Sequence, residues 1–256
     1  MTKKLQRLGF CLVFSSLGSS VGYADDDDGE APLNEVFLST LVYAQDKGEV
    51  QWTFAPGFSQ SRNTQQVGLP ISFEYGITDA LQIELEWGET ISIDRLDRAS
   101  NATEGQFGAG LQYSFMNLGN GNFHAAVGGE LELITHRGEL DIPGEDENQN
   151  EGRTSFTPYA VIAADFKELN DLHLFIHSGV ELNREESEIF VSTGAVLSLG
   201  ETVLSLEWNW TEEQQFLTPG LTLKFDTGWE IGVAAAVGLT DQSDDFRLLA
   251  NVIYEY

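Results

Sequence analysis

From Glu49 to the C-terminus, apolar residues alternate with polar or small ones at a period of two. That period marks strands with one face out of water. The end of the chain shows it most plainly. Over 246–256, Phe246, Leu248, Ala250, Val252, Tyr254 and Tyr256 share a face opposite Arg247, Leu249, Asn251, Ile253 and Glu255. Over 229–239, Trp229, Ile231, Val233, Ala235, Val237 and Leu239 lie opposite Glu230, Gly232, Ala234, Ala236 and Gly238, and the polar loop 240–245 joins the two. The same reading predicts twelve strands, over 50–59, 66–75, 81–91, 105–115, 123–134, 155–166, 172–182, 188–199, 203–211, 215–225, 229–239 and 246–256. Most approach the roughly 9–11 residues that a tilted membrane-spanning strand needs.

The connections alternate in kind. Stretches 76–80, 116–122, 167–171, 200–202 and 226–228 are short and rich in Gly, Asn and Asp, the residues of tight turns. Between them, 60–65, 92–104, 136–154, 183–187, 212–214 and 240–245 are longer on the whole and strongly polar. Short turns on one rim and longer loops on the other are the outer-membrane pattern. An even strand count puts both ends of the barrel on the short-turn, periplasmic rim. Val36–Tyr43 then cannot span; it is a strand, a short helix or a segment tucked against the barrel, and Asp46-Lys-Gly48 turns the chain into the first strand.

The two faces differ in kind as well as polarity. One carries Trp52, Phe54, Ile71, Leu85, Trp87, Leu111, Val127, Ile176 and Leu206; the other carries Thr53, Ser72, Gly108, Gly110, Gln112, Ser192 and a series of glutamates. Bulky apolar residues suit a convex lipid face, and small or polar ones a concave lumen. A soluble barrel or β-sandwich would bury the apolar side chains and show more surface lysine. Aromatics bound the apolar faces at both ends, Phe58, Phe107, Phe156, Trp210 and Phe246 toward the long loops. Toward the short turns lie Tyr75, Phe115, Phe123, Phe166, Phe225, Trp229 and Tyr256. Two such belts match the two headgroup interfaces. The expected fold is all-β, a twelve-stranded antiparallel transmembrane β-barrel, whose last strand looks like the closing strand of a bacterial outer-membrane barrel.

Composition adds an address. Residues 1–24 hold a basic start (Lys3, Lys4, Arg7), an apolar stretch from Leu8 to Leu17 and small residues up to Ala24, the layout of a cleaved secretory signal. The only cysteine, Cys11, would leave with it, so no thiolate site is expected. The remaining 10 basic and 41 acidic residues give a charge of −31, which repels nucleic acid. The expected organisation is a signal peptide over 1–24, an acidic N-terminal periplasmic segment over 25–48 that could plug the lumen, and the barrel over 49–256. The expected location is the outer membrane of a Gram-negative cell. Asp25–Asp28 could hold a divalent cation but reads better as a solvated acidic tail.

Candidate chemistry lies on the inner face. It gathers Glu74, Glu84, Glu86, Glu130, Glu132, Asp165, Glu181, Glu207, Glu230 and Glu255 against only Lys224 and Arg247. Such a lumen would disfavour anions and admit cations or neutral polar solutes; equally, these carboxylates could serve only to hydrate the interior or pair with the two bases. His124, His173 and His177 fall on the same face, His136 in a loop. A hydrolase needs a nucleophile beside a histidine, but Ser178 points away from His177, and His173 and His177 are too far apart along a strand to share a metal. No enzyme, metal site or cofactor is expected. The acidic loops, with Glu145-Asp-Glu147 and Asp244-Asp245, read as solvated or as holding divalent cations that bridge lipopolysaccharide.

Three stretches carry a family resemblance: Lys47-Gly-Glu-Val-Gln-Trp52, the run Phe73–Trp87, and Gly232 through Asp241-Gln-Ser to Tyr256. Together they resemble the outer-membrane barrels grouped as phenol-degradation meta-pathway proteins, often labelled transporters. The resemblance implies passage of small aromatic or hydrophobic molecules and brings no catalytic residues. The leading expectation is therefore a porin-like channel or transporter for a small molecule through an acidic lumen. The alternative is a structural or surface-interaction barrel with a plugged lumen and no transport; a lipid-modifying enzyme comes third. Expected partners are outer-membrane lipid and lipopolysaccharide, the barrel-assembly machinery through the last strand, and small-molecule cargo, with no nucleic acid.

Overall fold

The computed structural model describes residues 33, 36–94, 102–119, 122–139, 154–184 and 187–256. The signal-like stretch with Cys11, the run Asp25–Asp28 and Glu145-Asp-Glu147 lie outside the described residues. The chain forms a closed antiparallel barrel of twelve strands. They are β1 (Val50–Phe54 resumed at Gly57–Gln60), β2 (Thr64–Gly68 resumed at Ile71–Thr78), β3 (Leu81–Asp94), β4 (Ala102–Leu118), β5 (Phe123–Glu139) and β6 (Thr154–Phe166). Then follow β7 (Leu172–Leu182), β8 (Ser187–Leu199), β9 (Thr202–Thr211), β10 (Gln215–Phe225), β11 (Trp229–Gly238) and β12 (Phe246–Glu255). Each pairs with its sequence neighbours, and β12 returns to β1 with Tyr254 opposite Trp52 and Leu248 opposite Phe58. Closure leaves no edge strand with unpaired amides. The seam ends where Val50 and Tyr256 exchange two N–H···O bonds, each 3.0 Å.

Two expected strands are interrupted. The run 50–59 breaks at Ala55-Pro56 and the run 66–75 at Leu69-Pro70, because proline has no N–H to give a ladder. The flanking strands still close over the breaks: Ala55 N–H donates to Pro70 O at 3.1 Å and Ala250 N–H to Pro56 O at 3.0 Å. Strands β3, β4 and β5 also run past the expected 81–91, 105–115 and 123–134. Polar residues beyond the bilayer-length band still find ladder partners, as Ser92 does with Gln66 and Thr103 with Gly138.

Among the described residues, every left-handed backbone position falls on one rim, in the turns holding Asn117, Gly119, Asn170, Asp171, Gly200 and Gly228 and at Gly48. At Gly228 (φ 78°), whose N–H closes the turn on Phe225 O at 3.1 Å, a Cβ would also stand 2.4 Å from the Glu255 carbonyl oxygen. Outward side chains are bulky and apolar, with Trp87 61% and Ile162 62% exposed and Leu111, Val127, Ile176 and Leu206 beside them. A continuous apolar surface of this extent suits hydrocarbon rather than water. Of the belt residues, Tyr75, Phe115, Phe225, Trp229 and Tyr256 are exposed, while Trp210 and Phe246 are half-buried.

Candidate functional site in the barrel lumen

The barrel is not empty. Residues 36–44 lie inside it, all buried, with Leu33 and Gln45 buried beside them. They adopt neither helix nor strand. Several of their backbone groups, the Phe37, Leu38 and Thr40 amides and the Leu38, Leu41 and Tyr43 carbonyls, are met instead by side chains of the wall, which is how a buried irregular segment satisfies its amides and carbonyls.

The contacts run inward from the short-turn rim. Gly48 N–H donates to Gly76 O at 2.8 Å, and Gly76 N–H to Glu49 O at 3.1 Å, so the chain enters over β2. A Cβ on Gly76 would overlap the Asp46 carbonyl, so only glycine permits this crossing. Next comes a closed ring of side chains. Gln45 N–H donates to Gln82 Oε1 (2.8 Å), and Gln45 Nε2 to Gln51 Oε1 (2.8 Å). Gln51 Nε2 and Gln82 Nε2 donate to the two carboxylate oxygens of Glu74 at 3.0 and 3.2 Å. Glu74 is thereby a structural acceptor, not a free charge.

Deeper in, the Tyr43 hydroxyl donates to Asp165 at 3.1 Å and lies 3.0 Å from His173 Nδ1. Asp165 also contacts His173 Nδ1 and, at 2.9 Å, His124 Nε2. Because His124 Nδ1 accepts the Asn117 amide at 3.1 Å, its proton must sit on Nε2, facing the carboxylate. Gln112 Nε2 donates to the carbonyls of Tyr43 (2.8 Å) and Leu41 (3.3 Å), and its Oε1 accepts the Tyr159 hydroxyl (3.1 Å). His177 Nδ1 accepts the Thr40 amide at 3.2 Å. Asn209 Nδ2 reaches Leu38 O and Ser39 Oγ. At mid-barrel, Glu207 Oε1 and Oε2 accept the Phe37 and Leu38 amides at 2.9 and 3.1 Å.

Apolar packing completes the seat. Leu33, Val36, Leu41, Val42 and Tyr43 cluster with Tyr159, Val161, Phe175, Phe190, Val196 and Val203 of β6 to β9. Phe37 and Leu38 cluster with Phe216, Ala234, Ala236 and Leu249 of β10 to β12. The lumen is therefore two-sided. One arc is greasy and grips the segment.

The remaining sequence candidates lie elsewhere on the wall. Glu84 and Glu86 stand opposite Gly110 and Gly108, which in turn oppose Glu130 and Glu132. Their carboxylates fill space that the two glycines leave open: a Cβ on Gly108 would be 3.4 Å from Glu130 Oε1, and one on Gly110 would be 3.6 Å from Glu84 Oε2. Glu181 lies on β7, half-buried. Lys224 pairs with Glu230 at 3.5 Å, and Glu255 sits at the rim beside the 228 turn. Arg247 is drawn toward the opposite rim. Its Nε donates to Asp244 (3.1 Å), its Nη2 to Gln214 (2.6 Å), and its guanidinium carbon lies 4.0 Å from the Phe216 ring centroid. Loop 240–245 is accordingly more than a solvated connection: Ser243 and Asp244 are buried, and Ser243 Oγ bonds both backbone groups of Gln215.

At the mouth, Glu49 has its pKa raised to about 7, first by burial and then by the neighbouring Glu255 carboxylate. Asp46 moves the same way, through burial and then Asp79 and Glu255. Sequence reasoning placed Gln112 on the inner face but did not single out Phe37, Gln45, Gln51, Gln82, Tyr159 or Asn209. One signal was present, since the middle of the strand over 155–166, residues 159–163, is apolar on both faces (Tyr159, Val161 and Ala163 against Ala160 and Ile162). A mid-strand stretch with nothing polar to offer a wet lumen implies something greasy at that depth.

No protein-family model matches the chain, and no curated protein does. Solved structures do. A KdgM porin superposes with a TM-score of 0.52 at 12% identity, covering 80% of this chain and 99% of that one. The β domain of the Bordetella autotransporter BrkA gives 0.52 at 13% identity, covering 82% and 100%. At such identities the likeness speaks for the fold: this chain has the barrel architecture of outer-membrane proteins.

Proposed function

We propose that this chain is an outer-membrane channel or transporter for small molecules, held closed by residues 36–45. The carrying observation is how that segment is held. It adds no strand to the barrel, so it can leave without breaking a single rung of the wall, whose strands close on one another. The acidic rows Glu84/Glu86 and Glu130/Glu132 support preference for cationic or neutral polar solutes over anions once the path opens. The resemblance to phenol-degradation meta-pathway barrels supports small aromatic or hydrophobic cargo. The three inward histidines then serve as clamps on the segment and on Asp165 rather than as bases. The proposed setting is a Gram-negative outer membrane reached after removal of a signal near Ala24, with lipid, lipopolysaccharide and the assembly machinery as partners.

Solute influx into proteoliposomes tests this reading. A variant lacking residues 25–45 is expected to admit small cations and neutral solutes much faster than the full chain, and anions least. Equal, slow influx for both would favour the second reading, a structural barrel whose lumen is filled by side chains of the wall itself. The observation behind that alternative is the inward packing of Tyr159, Phe175, Phe190 and Val203.

A further inference from the structure

What the lumen holds in this structure is a peptide, and the wall reads it by its main chain. Glu207 of β9 accepts the Phe37 and Leu38 amides, His177 of β7 the Thr40 amide, and Gln82 of β3 the Gln45 amide. In the other direction Asn209 of β9 donates to the Leu38 carbonyl, and Gln112 of β4 to those of Leu41 and Tyr43. Four strands thus supply side chains that bond the backbone along the whole segment. Its side chains are read far less closely. Between Phe37 and Val42 only Ser39 and Thr40 are polar. Ser39 Oγ meets Asn209 at 3.2 Å. Thr40 is fully buried, yet its hydroxyl makes no hydrogen bond among the described residues. The others pack against apolar wall residues such as Tyr159, Phe175 and Phe216.

Main-chain amides and carbonyls are the same in every peptide, and apolar packing demands volume more than identity. A seat built this way selects for an irregular backbone with greasy side chains, not for one sequence. Nor is it perfected for its present occupant, since a buried hydroxyl without a partner, as at Thr40, is destabilising. We propose that the lumen is a binding site for linear, largely apolar peptides from other molecules, and that residues 36–45 are its resident ligand. An incoming peptide takes over the acceptors on Glu207 and His177 and the donors on Gln112 and Asn209, and so displaces the segment. This mode adds no strand to the wall, unlike a peptide that joins a sheet edge. The inference goes beyond the channel reading and shares with it only the premise that the segment can leave.

The test measures fluorescence anisotropy of a labelled synthetic peptide of residues 33–45. It is added to the full chain carrying Leu41→Asp and Val42→Asp, whose charges cannot enter the apolar cluster, and to the variant lacking residues 25–45. The peptide should bind both, and at least tenfold more weakly to the intact chain. Esters in place of the Phe37 and Leu38 amides remove only those two donors and should weaken binding at least tenfold. In a Glu207→Ala wall the same esters should make no difference. A peptide changed by Leu38→Val, Ser39→Ala, Thr40→Val and Val42→Leu should bind within tenfold of the parent. The proposal falls if the parent peptide binds neither variant, if the esters bind as well as the amides, or if the four-fold changed peptide fails to bind. Peptide binding without solute influx in the deletion variant would sink the channel reading and leave the seat standing; influx without peptide binding would do the reverse.

Discussion

The carboxylate of Glu207 holds the backbone of Phe37 from a strand 170 residues away, accepting its amide at 2.9 Å and that of Leu38 with its second oxygen. Glu207 is fully buried. Removing the carboxylate deletes the acceptor of two buried amides at once, which costs up to about 2–6 kcal/mol at about 1–3 kcal/mol for each. Glu207→Ala should therefore release residues 36–40, seen as loss of hydrogen-exchange protection at the Phe37, Leu38 and Thr40 amides. Glu207→Gln, which keeps one acceptor, should retain part of it.

Tyr43 grips the other end. Its hydroxyl serves Asp165, which also faces His124 and His173. Tyr43→Phe keeps the ring in its apolar cluster and deletes only the donor, so a loss of about 1–2 kcal/mol is expected. Exchange should quicken first at residues 41–45, before the Phe37 end is affected. Protection unchanged throughout would mean that the hydroxyl plays no part in closure.

The mouth should loosen as pH rises. Glu49 ordinarily titrates near 4.5 but has its pKa raised to about 7 where it sits, by burial first and Glu255 second. The folded state therefore binds this proton more tightly than the unfolded state does. The resulting advantage is complete below about 4.5, shrinks as pH climbs, and is gone above about 7. Asp46 shifts in the same direction. Corrected for intrinsic exchange, protection at residues 46–49 should fall between pH 5 and pH 8 in the original chain. In Glu49→Gln it should stay nearly flat.

The barrel was legible in the sequence because membrane strands obey one strict rule, bulky outward and small or polar inward. Alternation at Trp229–Leu239 and Phe246–Tyr256 needs no tertiary information to be read. The breaks at Pro56 and Pro70 were less visible, since both prolines sit inside otherwise regular runs. What the alternation could not show is the filling. Val36–Tyr43 has no period because its hydrogen bonds go to Glu207, His177, Gln112 and Asp165, residues far away in the chain. The inner glutamates looked alike in sequence, yet Glu207 is engaged by the segment directly and Glu74 through Gln51 and Gln82, while Glu84, Glu86, Glu130 and Glu132 line two rows beside β4.

The orientation of the wall has its own test. Spin labels at Leu85 and Val127, both strongly exposed on the outside, should be relaxed by oxygen dissolved in lipid and ignore a water-soluble nickel reagent. Labels replacing Glu84 and Glu130 should be shielded from lipid-borne oxygen. The opposite pattern would require a soluble barrel with its faces exchanged.

Single-channel recording in planar bilayers tests closure most directly. The full chain should sit at a closed baseline with rare, brief openings, and the variant lacking residues 25–45 should give steady, cation-selective current steps. A deletion variant that inserts as an intact barrel but stays as silent as the full chain would contradict the account.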